Sequence, residues 1–67
     1  MDIRRRIGLA VQRLRLEKDW SQERLAEEAG LHRTYISGIE RGVRNPTVTV
    51  LEKVATALSA KIGALTD

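Results

Sequence analysis

Few side chains in this chain could do covalent chemistry. His32 is the single histidine, and there is no cysteine. A metal or catalytic role for His32 needs partners that the sequence does not contain, so a helix cap or a phosphate contact is the better use for it. Ser37 as a nucleophile has no base or oxyanion site to activate it. Without cysteine there is neither a disulfide staple nor a zinc–thiolate site, and no metal or cofactor is expected. Arginine, by contrast, is abundant: nine of the twelve basic residues. Its planar fork pairs with phosphate or with a guanine edge through two parallel hydrogen bonds, which the point charge of lysine does not reproduce. The available chemistry is therefore polar recognition, not catalysis, and the protein is expected not to be an enzyme.

The elements that position these side chains are helices. Sixty-seven residues bury one core at most, which is too little for an enzyme pocket with its supporting shell. The apolar content is leucine, isoleucine, valine and alanine, with Trp20 and Tyr35 as the only large aromatics. That inventory suits helices better than sheets. No apolar run exceeds three residues, so nothing reads as a membrane span or a signal sequence, and a cytoplasmic protein is expected. Net charge is +3 but uneven: residues 1–18 carry +4, 19–31 carry −3, 32–47 carry +2 and 48–67 carry none. Folding could gather the positive segments on one face.

The first helix is expected from Asp2 to about Lys18, with Ile3, Ile7, Ala10, Val11 and Leu14 as its apolar stripe. Leu9 and Leu16 fall outside that stripe. The run Arg4-Arg5-Arg6 reads as an exposed charged face, and Trp20 as a pin for the first connection. Ser21 caps a second helix, with Glu23 near its positive end, and Gly30 stops it. A third helix starts near His32 or Arg33, buries Ile36 and Ile39, and ends near Arg41 before Gly42. Pro46 keeps residues 43–46 out of helix. Thr47 caps a fourth helix with the stripe Val48, Leu51, Val54, Ala55 and Leu58, and a last short helix carries Ile62 and Leu65. The expected fold is all-α: one compact five-helix domain over residues 1–67.

Within residues 21–42 the spacing is more specific. Counting Gln22 as the first of twenty, Ala26 is fifth, Gly30 ninth, Ile36 fifteenth and Ile39 eighteenth. Two short helices crossing at about 90–120° need a small residue where they touch and a glycine where the backbone turns left-handed. They also need branched aliphatics where the second helix plugs into the first. A plain helical hairpin would accept any apolar residues and any turn length.

With these residues in place, the segments Ser21–Leu31, Arg33–Ser37 and Ile39–Gly42, followed by Arg44-Asn45-Pro46-Thr47, resemble the phage-repressor/Cro-like (Xre-type) helix-turn-helix regulators. The resemblance covers essentially the whole chain. Residues 30–37 are most similar to small stand-alone regulators, including restriction–modification controller proteins. It implies a phage-repressor-like fold whose second and third helices form the helix-turn-helix. It also implies a sequence-specific regulator of transcription that lays residues 32–41 in the major groove of double-stranded DNA.

The resemblance assigns roles as well. Arg33, Thr34 and Ser37 face base edges. Gln22 bonds a phosphate and braces the recognition helix, and Ser21 and Tyr35 are further phosphate candidates; Tyr35 is as well suited to packing on the second helix. Arg41, Arg44 and Asn45 grip the far phosphates, and Arg15 and Glu40 form an internal pair. Three positions depart from the family pattern. Gly38 stands where a base-reading side chain is common, which shifts the burden to Arg33 and Thr34. Asp19 and Ser59 stand where glycine is common, so those turns are expected to be distorted. One recognition helix touches too few base pairs to select a genomic site, so a homodimer on a two-half-site operator is expected, with Val50, Ile62 and Leu65 at its interface. Such a protein acts by occupancy, occluding or recruiting RNA polymerase. The competing class is a protein-interaction module, such as an antitoxin-like partner, whose binding would be indifferent to salt.

Overall fold

Polar caps set where the helices begin. In a computed structural model, which describes residues 2–67, Asp2, Ser21 and Thr47 each accept a backbone N–H from two or three residues ahead. They open α1 (Ile3–Glu17), α2 (Gln22–Ala29) and α4 (Val48–Ala57). The other two helices, α3 (Arg33–Glu40) and α5 (Ile62–Thr66), start without a side-chain cap; His32 holds the cap position of α3 but bonds nothing there. Among the described residues there is no strand. Met1, the first residue of the expected 1–67 domain, lies outside them.

The first, second and fourth helices end alike. Within two residues of each end the backbone takes a positive φ: Asp19 at 59°, Gly30 at 70° and Ser59 at 56°. At each end the next N–H reaches back five residues: Trp20 to Arg15, Leu31 to Ala26, and Ala60 to Ala55, at 3.2, 2.9 and 2.8 Å. That is the closing pattern glycine normally completes. Asp19 and Ser59 complete it too, so these turns keep the regular geometry instead of the distortion expected from sequence. The cost is local, roughly 1–2 kcal/mol of steric strain at a non-glycine left-handed residue.

All five helices contribute to one core. Val11, Leu25, Ile36, Val54 and Leu65 are fully buried, and Ile7, Ala26, Ile39, Leu51, Ala55 and Leu58 nearly so. Three sequence expectations fail here. Val48, placed on the apolar stripe of α4, is 71% exposed, because it is the first residue after the Thr47 cap and a turn ahead of Leu51, where burial of that helix begins. Ile3 is 46% exposed: it is the first residue of α1, a turn ahead of Ile7, where burial of that helix begins. Leu65 is 0% exposed, so it belongs to the core and cannot touch a second copy. Its helix is only five residues long and lies against both α1 and α4, which brings Leu65 inward.

Two contacts fix α3 against α1. Gly8 is buried, and a Cβ there would overlap the backbone carbonyl of Ile39 and come within 2.8 Å of that of Glu40. The missing side chain lets α1 lie directly on the end of α3. Farther along α1, the Arg15 guanidinium forks onto Glu40, Nε donating to Oε2 at 2.7 Å and Nη2 to Oε1 at 3.0 Å. Its Nη1 donates to the Trp20 carbonyl at 2.7 Å. Both residues are 8% exposed, and no buried side-chain polar atom among the described residues lacks a partner. A satisfied pair of this kind adds little over an apolar replacement, but half of it is costly to leave behind.

Glu40→Ala is accordingly expected to destabilise the protein by ~3–5 kcal/mol, read as a lower melting temperature. The double change Arg15→Met/Glu40→Ala should recover much of that loss, and wild-type melting of Glu40→Ala would contradict the assignment. Gly8→Ala should cost about 1–3 kcal/mol by pushing α1 off α3, although alanine favours helix over glycine elsewhere. A stabilised Gly8→Ala variant would show that the close approach is not rigid.

Candidate nucleic-acid interface

Residues on α3 divide by face. Ile36 and Ile39 point into the core, while Arg33 and Thr34 are exposed and Ser37 is half-buried. The spacing 33, 34, 37 puts those three on one side of a helix that turns every 3.6 residues. The three candidate base-reading residues are therefore together, on a helix about 12 Å long that fits within one major groove.

The start of α2 is tied to this helix. Gln22 is half-buried, and its Nε2 donates to Glu40 Oε1 at 3.0 Å. Glu40 thus receives donors from both α1 and α2, and the orientation of α3 depends on all three. Ser21 is exposed, its oxygen accepting the Arg24 N–H at 2.9 Å, which leaves the hydroxyl proton free to donate. Backbone N–H groups at such a helix start attract anions.

Beyond α3, Arg41, Arg44 and Asn45 are all exposed. Arg41 Nε donates to the Ser37 carbonyl at 3.3 Å. The exposed arginines outside this region are largely occupied. Arg4 pairs with Asp2, Arg13 with Glu17 and Arg24 with Glu28, and Arg6 donates to the Thr66 carbonyl. The Asp2 carboxyl is held below its usual range by hydrogen bonds from Arg4. Among the described residues, Arg33, Arg41 and Arg44 have no carboxylate in ion-pair range. Three such arginines therefore cluster on α3 and the loop that follows it.

Two arrangements were not visible in the sequence. Trp20 packs on the core as expected, but its ring also meets two cations, with Lys18 Nζ at 5.2 Å and Arg24 Cζ at 4.9 Å from its centroid. Tyr35 packs on the core and carries the Arg44 guanidinium over its ring at 4.9 Å. Both depend on contacts across a turn, which residue spacing does not encode. Val50 and Ile62, the remaining candidates for a dimer face, are partly buried against the core. Among the described residues no cluster of histidine, aspartate and glutamate could hold a metal ion, and no helix is long and apolar enough to cross a membrane.

Known proteins resemble this chain in sequence and fold. Control protein C.BamHI of Bacillus amyloliquefaciens is 48% identical over 67 residues, covering 98% of this chain and 83% of its own. The crystal structure of the restriction–modification controller protein C.AhdI from Aeromonas hydrophila superposes with a TM-score of 0.90 at 40% identity, over 92% of this chain and 94% of that one. The controller protein C.Esp1396I, solved as a tetramer on its natural 35 base-pair operator, superposes with a TM-score of 0.85 at 39% identity, over 91% of this chain and 80% of its own. A helix-turn-helix family profile matches residues 11–65. With its buried Arg15–Glu40 brace, its glycine-stopped α2 and its exposed α3 face, the chain belongs to the helix-turn-helix family.

Proposed function

We propose that this protein is a sequence-specific double-stranded DNA-binding regulator of transcription that lays α3 in the major groove. The observation that carries this reading is the α3 face itself: Arg33, Thr34 and Ser37 together on a helix held on two sides, beside arginines that no carboxylate neutralises. Relatives known as transcriptional regulators, and a solved relative seated on its operator, support the same conclusion.

Arg33 forks onto guanine O6 and N7, and Thr34 and Ser37 add a hydroxyl contact or a thymine-methyl contact. Ser21, Gln22, Tyr35, Arg41 and Asn45 meet phosphates and set the register. The protein works in the cytoplasm as a homodimer, with two copies of α3 about 34 Å apart on one side of the duplex. Val50 and Ile62 supply its two-fold contact, while Leu65 stays in each monomer's core. Bound at a promoter, the dimer occludes or recruits RNA polymerase.

Selection of bound duplexes from a random pool, followed by titration of the selected site, tests this reading. A two-fold repeated motif is expected, and recovery of no motif would sink it. Arg33→Ala should weaken the selected site by ~1–3 kcal/mol and relax preference at one base pair per half-site. Equal weakening of selected and scrambled duplexes would instead make Arg33 a phosphate contact. Arg41→Ala should weaken all duplexes alike and reduce the slope of log affinity against log salt by about one unit per site. An unchanged slope would remove Arg41 from the interface.

A further inference from the structure

Successive α-helical residues turn by about 100°, which orders one side of α3 as Arg33, Ser37, Thr34 and Gly38, with Tyr35 next. A side chain at position 38 would extend the reading face beyond Thr34, but glycine leaves that place empty of its own atoms. Arg44 fills it. A Cβ on Gly38 would lie 2.5 Å from Arg44 Cγ, with Arg44 Nε at 3.3 Å and Cδ at 3.4 Å. The guanidinium then continues over the Tyr35 ring, 4.9 Å from its centroid.

The backbone is anchored in the same place. The Gly38 carbonyl accepts the Val43 N–H at 3.0 Å and the Arg44 N–H at 3.3 Å. Pro46, two residues on, is buried. Arg44 itself stays exposed, and among the described residues no carboxylate holds it. A cation meant for a backbone phosphate needs no such seat, because a phosphate can be met from many rotamers. A base edge has a fixed donor–acceptor pattern, and a preset fork suits it.

We propose that Arg44 supplies the base-reading side chain that Gly38 lacks, with Gly38 and Tyr35 as positioning residues that hold it on the Thr34 edge of α3. Its target is a guanine edge in the major groove, one or more base pairs from the one read by Arg33. This moves Arg44 out of the phosphate-gripping set expected from sequence. It also turns the gap at Gly38 into part of the reading surface. The inference rests on the DNA-binding function proposed above.

A double-mutant cycle tests it. Wild type, Arg44→Ala, Gly38→Ala and the double variant are titrated against the selected operator, against copies changed at each base pair, and against a scrambled duplex. Melting curves are recorded in parallel. Arg44→Ala is expected to weaken the selected site about tenfold, to erase preference at one base pair per half-site, and to leave scrambled DNA nearly unchanged. Gly38→Ala should reproduce those losses while melting at or above wild type, since alanine favours helix and a solvent-facing arginine can swing aside. The double variant should bind no worse than either single one.

Any of the following would overturn the proposal: equal weakening of selected and scrambled DNA by Arg44→Ala, wild-type discrimination by Gly38→Ala, or multiplied losses in the double variant. A Gly38→Ala protein that fails to fold would also overturn it, by making the glycine a packing requirement of the helix. Failure of the wild type to select any motif is a separate outcome. It would remove the DNA-binding function itself, whereas the other results leave selection by the wild type intact.

Discussion

The carboxylate of Glu40 is the constraint on which the rest of the structure depends. It ends a helix only eight residues long, which has no side-chain cap at its start and too few residues to persist alone in water. Glu40 accepts two bonds from Arg15 on α1 and one from Gln22 on α2, and Arg15 goes on to hold the Trp20 carbonyl in the connection between them. Three helices and one turn thus share a single buried set of hydrogen bonds. Gly8 sharpens the same junction by letting α1 rest on the last carbonyls of α3. Hydrogen-bond directions are narrower than apolar contacts, so this junction orients α3, while Ile36 and Ile39 supply most of the burial.

The arginines show how one residue type takes on three tasks through its surroundings. Arg15 is buried and fully bonded, so it contributes geometry and carries no charge to a partner. Arg4, Arg13 and Arg24 are exposed but sit beside carboxylates a few residues away, contacts worth little in water. Arg33, Arg41 and Arg44 are exposed and, among the described residues, have no carboxylate in ion-pair range, so they gather available positive charge on α3 and the loop after it. The net charge of +3 understates this separation, because the acidic residues are spent largely on other parts of the surface.

Much of the architecture was legible in the sequence, because the signals are local. Ser21 and Thr47 mark helix starts, Gly30 marks a stop, and the spacing from Gln22 through Ile39 marks the crossing of α2 and α3. What could not be read is tertiary. Leu65 looked available for self-association because a five-residue helix has too little periodicity to reveal its buried face. Ile3 fitted the stripe of α1, but the stripe says nothing about where burial of that helix begins. Gly8 carried no turn signal, since its purpose is a close approach between helices distant in sequence. Gly38 looked like a missing contact until Arg44, six residues away, was seen lying over it. The expected distortion at Asp19 and Ser59 did not occur, because the backbone bonds closing those helix ends outweigh the modest cost of a left-handed residue.

α3, held by Glu40, is the surface proposed to meet DNA. Backbone amide chemical shifts followed during titration with the selected operator test it most directly. Changes are expected to concentrate at residues 21–24, 32–38 and 41–45, with Arg15 and Glu40 shifting little because their bonds are already made. Changes concentrated on α1 and α5, with α3 unaffected, would contradict it.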